Sequence, residues 1–270
     1  MRTVLDNIYI AVTGAKTYLS EWRRWRTKPQ GGSPKVYYGM EHVPKKDAFT
    51  SGGLVKVQDL SEKFPNCTSG ANLLYLVSSC YPFVVESTTA MAKDKGVKLV
   101  INQNGVAYQA WFGSGWKQAN IKLSNMLMKA DYIIYQSRFC KTMSDEFLGS
   151  SSANSEILYN PVDTDYFVPA NPQDSSDRIR LLLSGSLGQI YRIESAVRTL
   201  ACLIADGVDA VLAIAGRFYW DRNETKCFKQ VEALCQDLNV KDKVEWVGGY
   251  NQQQAAGLFQ KADILLHPTY

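Results

Sequence analysis

Two stretches of this 270-residue sequence join glycines to residues suited to holding an anion. In the first, the apolar run Leu181 to Ser184 leads into Gly185-Ser186-Leu187-Gly188 and then Tyr191-Arg192-Ile193-Glu194. From there Ile193, Ala196, Val197, Leu200, Ala201 and Ile204 recur at helical spacing. A glycine turn between a strand and a helix presents free backbone N–H groups, and the helix dipole favours negative charge there. Arg192 gains nothing from that dipole, so an anion shared between the amides and the guanidinium is the economical reading. On local physics, pairing with Glu194 or with solvent explains Arg192 equally well. In the second stretch, Ser51-Gly52-Gly53 precedes a helical pattern beginning near Leu54, with Lys56 one turn on. An ordinary turn accounts for that glycine pair as well as an anion site does. It is not GxGxxG, so dinucleotide binding gains little from it.

Other chemistries are poorly supplied. His42 and His267 lie far apart with no serine or cysteine motif beside either, so a hydrolase triad is not indicated. His267-Pro268 follows an apolar run and reads as a hydrogen-bonded structural histidine. The six cysteines form no CxxC pair, which argues against zinc and dithiol chemistry and for buried free thiols. Asn66-Cys67-Thr68 and Asn223-Glu224-Thr225 fit the glycosylation pattern but are chance matches in a cytoplasmic chain. Asn102, Gln103, Asn104 and Gly105 are followed by Tyr108, Trp111, Phe112, Gly113 and Trp116. Such a group suits stacking on a sugar face, and it equally suits filling space between helices. Tyr250, after Gly248-Gly249, fits either a nucleotide base or an exposed loop.

The elements that would position these residues follow a repeated strand, turn, helix order. Val36 to Met40, Asn72 to Val77, Lys98 to Asn102 and Tyr132 to Gln136 are continuous apolar runs, as parallel strands covered on both faces require. Helical stretches fall at Leu54 to Phe64, Val84 to Lys95, Lys117 to Ala130 and Ser137 to Leu148. A second series places strands at Arg178 to Ser184, Ala210 to Ala215, Val244 to Val247 and Asp263 to Leu266. Between the series, Asn160-Pro161-Val162-Asp163 and then Pro169, Asn171, Pro172 and the polar run Asp174 to Asp177 break the periodicity. The expected division is a basic extension over 1–34, a first domain over 35–165, a hinge over 166–178 and a second domain over 179–270.

Composition is that of a soluble globular chain, 46% hydrophobic and 21% charged. No apolar stretch reaches the roughly 20 residues of a spanning helix. Asp6 and Asn7 interrupt any secretory core, so a cytoplasmic location is expected. The formal charge of +4 resides wholly in the first 34 residues; beyond them basic and acidic residues balance, 24 against 24. A nucleic-acid partner with a broad basic face is therefore not indicated. Trp22, Arg23, Arg24, Trp25, Arg26 and Lys28 precede the breaker run Pro29 to Pro34. They read either as a peripheral contact with an anionic membrane, on its inner face, or as a helix packed on its own protein.

Taken together, Asn160-Pro161-Val162-Asp163, Gly185-Ser186-Leu187 with Arg192, Ala215-Gly216, Val244-Glu245-Trp246-Val247-Gly248 and Ala262-Asp263-Ile264-Leu265-Leu266-His267-Pro268 resemble, in order and spacing, GT-B glycosyltransferases of the family-4 type. Gly52-Gly53 resembles the acceptor-side glycine loop of that family. The resemblance covers roughly Lys35 to Tyr270. It implies an α/β fold of two Rossmann-like doubly wound parallel-sheet domains and a retaining, metal-independent sugar transfer without a cofactor. The donor would be a nucleotide-diphosphate sugar and the acceptor a glycan or lipid-linked molecule, in cell-surface polysaccharide assembly.

On that resemblance Arg192 stabilises the departing diphosphate. Gly185, Ser186, Leu187, Gly188, Gly216, Arg217, Gly248 and Tyr250 border the donor, and Gly52, Gly53, Lys56, Asn104 and Gly105 line the acceptor side. Two departures stand out. Ser186 occupies a position where many members carry arginine, so one basic partner is missing. The family's paired glutamates, Glu-x7-Glu, would lie just past Tyr270, so the resemblance implies a second domain that is incomplete and a chain with little turnover. The alternative is a non-catalytic nucleotide-binding remnant of the same fold.

Overall fold

A computed structural model describes residues 2–169, 177–217 and 224–268, with side chains described outside 2–10, 224 and 225. Most of the Pro-rich break (170–176), Asn223, Thr269 and Tyr270 lie outside the described residues. The chain divides into two compact units, Met1–Lys45 with Thr50–Pro161, and Lys46–Phe49 with Val162–Tyr270.

The first unit is a five-stranded parallel sheet in the order β1 (Val36–Tyr37), β2 (Leu73–Val77), β3 (Lys98–Gln103), β4 (Tyr132–Tyr135), β5 (Asn154–Ile157). Side chains alternate faces along a strand. Leu74, Leu76, Leu99, Ile101 and Ile133 thus enter one core with Met126 and Leu127, while Tyr75 and Val77 join Val36, Tyr38 and Val57 on the other face. Both faces are covered, by α2 (Gly52–Lys63) and by α3 (Val85–Asp94), α5 (Trp116–Leu127) and α6 (Arg138–Phe147), with a short α4 at Gln109–Phe112. β1 is only two residues long, shorter than Val36 to Met40, because Gly39 takes φ +75° with no room for a side chain: its Cβ would fall 2.9 Å from Leu76. β5 was not expected. Its Asn154, Ser155, Glu156 and Ile157 are all exposed at the sheet edge, so no apolar run announces it.

The basic N-terminal segment is a long helix, α1 (Arg2–Arg24), whose end is locked into this unit. The Glu21 carboxylate, 4% exposed, accepts hydrogen bonds from Trp25 Nε1 (3.1 Å), Tyr37 Oη (2.5 Å) and Arg24 Nε (3.3 Å). Arg24 also donates to Thr68 O and Glu41 Oε2 and lies 4.3 Å from the Tyr37 ring. Burial, reinforced by the Glu21 charge, pushes the Tyr37 hydroxyl well above the usual phenol range, so it stays a donor. Trp25 is 3% exposed, and Trp22 faces outward.

The second unit is a four-stranded parallel sheet in the order β8-β7-β6-β9: β6 (Ile179–Ser186), β7 (Ala210–Arg217), β8 (Val244–Gly248) and β9 (Ile264–Leu266). β6 lies inside the sheet, with β7 and β8 to one side and β9 to the other. The stripe Ile193, Ala196, Val197, Leu200 of α7 (Ile190–Ala205) is buried against Leu181, Leu183, Leu212 and Ile214, as its spacing demands, together with Val231 and Cys235 of α8 (Glu224–Asp237). α9 (Gln252–Gln260) starts with a capping box, Asn251 bonding Gln254 N and Gln254 bonding back to Asn251 N. A bidentate pair joins Arg180 of β6 to Asp263 just ahead of β9, at 3.0 and 3.1 Å.

The cysteines are all free, but only Cys140 and Cys235 are buried; Cys202 is exposed on α7 because it falls on the solvent side of the apolar stripe. Replacing Glu21 by alanine strands Arg24, Tyr37 and Trp25 without their shared acceptor. The expected loss is about 3–5 kcal/mol of stability for the first unit, read by chemical denaturation.

Candidate functional site

In parallel α/β sheets the faces are committed to packing, so polar groups gather where strands end, above all where strand order reverses. The second unit has such a reversal at β6. The chain leaves β6 through Leu187-Gly188-Gln189 into α7 and β7 on one side, whereas β9 returns to the other side. Ser186 ends β6, Gly216-Arg217 end β7 opposite Gly185 and Ser186, and His267 directly follows β9.

Arg192 stands in the first turn of α7, in this crevice. Its Nη1 donates to Ser186 O at 3.2 Å and its Nη2 to His267 Nδ1 at 3.1 Å; Nε is buried without an acceptor. Glu194 is not its partner but accepts from Gln230 Nε2 at 2.8 Å, and among the described residues no carboxylate pairs with Arg192. Gln189 makes no side-chain cap bond to α7; its carbonyl accepts from Arg192 N at 3.1 Å. A guanidinium at a helix N-terminus whose partners are a carbonyl and an imidazole can receive a negative group.

The glycines around this turn do different work. Gly216, at φ +150°, has no space for a Cβ, which would sit 2.0 Å from Gly185 O; it lets β6 and β7 stay close where they leave the sheet. Gly185, at φ +106°, faces open space. Leu187 is a core residue, 3% exposed, and holds the turn down through Leu187 N to Arg217 O at 3.1 Å. The Arg217 side chain lies over Gly249, and its Cζ is 3.9 Å from the Phe49 ring centroid. Gly248 turns the chain after β8 at φ +80°, and Tyr250 is half-buried.

In the first unit the corresponding ends of β2, β3 and β4 carry a polar cluster around Lys56. Lys56 Nζ donates to Asn102 Oδ1 (3.1 Å), Asn104 Oδ1 (2.9 Å) and Gln136 Oε1 (3.2 Å). Asn104 is held further by its N to Ser78 Oγ (2.9 Å) and its Nδ2 to Ser79 Oγ (2.6 Å), and Gln136 Nε2 donates to Asn104 O. Burial pushes the Lys56 ammonium below the usual lysine range, partly offset by Cys140 and Cys80. Its three partners are neutral amides. Gly105 follows with nothing near its Cβ position.

Gly52 and Gly53 open α2 behind Ser51. Gly52 faces open space, while a Cβ on Gly53 would stand 2.4 Å from Ser79 Oγ, so the second glycine brings α2 against the end of β2. Tyr108, Trp111 and Phe112 form an exposed aromatic run, with ring centroids 6.3 and 5.7 Å apart, whereas Trp116 packs edge-on against Phe147.

Sequence reasoning grouped Asn102 with Asn104 but missed Gln136 and Ser79 as partners of this cluster and His267 as a partner of Arg192. Each lies at or within two residues of the end of an apolar strand run, and that position was the available signal. Among the described residues no group of three His, Cys, Asp or Glu is placed to hold a metal ion.

No protein-family profile and no curated protein matches this sequence. Solved structures do. A glycosyltransferase from Rickettsia africae aligns at 17% identity and TM-score 0.52, over 78% of this chain and 53% of that one. Anabaena HepE in complex with UDP and glucose aligns at 14% and 0.58, over 81% and 58%. Sucrose-phosphate synthase from Thermosynechococcus elongatus aligns at 15% and 0.54, over 88% and 63%. The chain thus spans between about half and two thirds of these proteins' lengths. The likeness establishes the fold, Rossmann-like parallel-sheet domains of the GT-B kind expected from the sequence.

The two neighbouring glycines separate experimentally. Gly53→Ala is expected to cost about 1–3 kcal/mol by forcing α2 away from Ser79, and Gly52→Ala to change stability by no more than about 0.5 kcal/mol, both read by thermal denaturation.

Proposed function

We propose that this chain binds a nucleoside-diphosphate sugar through its second unit and belongs to a retaining glycosyltransferase whose acceptor, a glycan or lipid-linked molecule of cell-surface polysaccharide assembly, is held by the first unit. The observation that carries this reading is Arg192, a guanidinium without a carboxylate at the start of α7 and at the reversal of strand order. A diphosphate suits that position, accepting from the guanidinium and favoured by the positive end of the α7 dipole. As the sugar leaves, negative charge gathers on that diphosphate, and donors already in place stabilise it without reorganising. Gly185, Ser186, Leu187, Gly188, Gly216, Arg217, Gly248 and Tyr250 are the proposed donor surroundings. Charge neutralisation is assigned to side chains and amides, with no metal or cofactor.

Structural neighbours support the nucleotide class: the HepE structures contain UDP and UDP-glucose. On the first unit, Gly52, Gly53, Lys56, Asn104 and Gly105 are the proposed acceptor side, with exposed Tyr108, Trp111 and Phe112 as a surface for sugar rings. The non-catalytic remnant draws support from one observation, that Ser186 leaves Arg192 as the sole arginine or lysine of this turn.

No helix is long and apolar enough to cross a membrane among the described residues. The outward face of α1 over its described side chains carries Val12, Leu19 and Trp22 with Lys16 and Arg23, and Glu21 is turned inward. That face supports the proposed peripheral contact with the anionic inner surface of a membrane at a cytoplasmic location.

UDP titration by calorimetry is expected to show binding, weakened about tenfold or more by Arg192→Ala; unchanged affinity rejects the assignment. Sugar release or transfer from UDP-sugars separates the transferase from the remnant. Co-sedimentation with vesicles containing phosphatidylserine is expected to fall on changing Lys16, Trp22 and Arg23 to serine, which spares the packed face of α1.

A further inference from the structure

We infer that His267 is a second cationic ligand of the diphosphate beside Arg192, and that it gains a proton when the diphosphate binds. The inference rests on the nucleoside-diphosphate site proposed above and assigns it a residue.

The geometry fixes the starting state. A guanidinium only donates, so the ring nitrogen 3.1 Å from Arg192 Nη2 must accept. A neutral ring making this contact accepts through Nδ1 and keeps its hydrogen on Nε2. The imidazole is exposed, so Nε2–H is free to meet a ligand. It also directly follows β9, across the reversal point from the turn after β6, the place where a parallel sheet gathers its ligand.

Protonation of Nδ1 in the free protein would set two donors and two positive charges against each other. A phosphate oxygen removes that conflict. It replaces the imidazole lone pair as the acceptor for Arg192, and Nδ1, released, takes a proton from solvent and donates to the same anion. The step makes one proton-to-nitrogen bond per diphosphate bound and breaks none in the ligand.

The remaining charges nearby are already committed. Facing the imidazole from α7 is Arg192, and on the same helix Glu194 is bonded to Gln230. The charged residue of β6, Arg180, is paired with Asp263, which precedes β9. Among the described residues no carboxylate is engaged with either Arg192 or His267, so a bound anion has no internal competitor for them.

The test measures UDP and inorganic pyrophosphate binding by calorimetry at pH 6.0 and 8.0 in the whole chain, in His267→Gln and in Arg192→Ala. Glutamine can still accept from Arg192 through Oε1 but cannot become a cation. Wild type is expected to bind about tenfold more tightly than His267→Gln at pH 6.0 and within about twofold at pH 8.0. The ligand's own titration is common to both proteins and cancels in that ratio. Repeating the titration at pH 7.0 in buffers of different ionisation enthalpy should show proton uptake by wild type that His267→Gln lacks. If Arg192→Ala loses affinity while His267→Gln equals wild type at both pH values, the histidine assignment falls and the diphosphate site stands. If neither ligand binds the wild type, both fall.

Discussion

A parallel strand surrenders both of its faces to helices, and this constraint governs where chemistry can appear in the molecule. In each unit the side chains along the inner strands are spent on core: Leu74 to Val77 and Leu181 to Leu183 are almost wholly buried. Polar groups are left with the ends of the strands, where backbone amides are free and helices begin. The Lys56 cluster and the Arg192–His267 contact both obey this rule, each within its own unit and each at the carboxyl edge of its own sheet.

What marks these two places out is the company their cations keep. Several other cations have carboxylates beside them: Arg24 has Glu21 and Glu41, Arg178 and Lys243 have Asp209, Lys93 has Asp131 and Arg180 has Asp263. Lys56 has three amide oxygens, and Arg192 a carbonyl and an imidazole. A half-buried cation left with neutral partners costs desolvation that its surroundings do not fully return. A protein retains such an arrangement most economically where a ligand completes it.

Much of this fold was legible because apolar runs, helical stripes and breakers are local signals. The stripe of α7 from Ile193 to Ile204 and the runs of β2, β3, β6 and β7 follow directly from residue spacing. β5 escaped because an edge strand needs no apolar pattern, and β1 was overestimated because one left-handed glycine ended it. Site residues were legible as types and positions: Arg192 and the glycines stand out along the chain. Their partners were not, since Ser186 and His267 lie 81 positions apart and only the pairing of β6 with β9 brings them to the same crevice. Likewise, nothing local distinguishes Gly52 from Gly53; the difference is the Ser79 hydroxyl against one of them.

The placement of β6 between β7 and β9 has a bearing on how the second unit comes into being. β7 follows its partner after a single helix and can zip onto it early. The opposite edge of β6 stays bare until Ile264 to Leu266 arrive, with the Arg180–Asp263 pair bridging 83 positions. Contacts so distant in sequence form late and slowly. During synthesis this unit therefore spends an interval with its central strand open along one side, the form most prone to pairing with a foreign strand or attracting a chaperone. The same closure that makes Arg192 and His267 neighbours thus comes later than the pairing of β6 with β7.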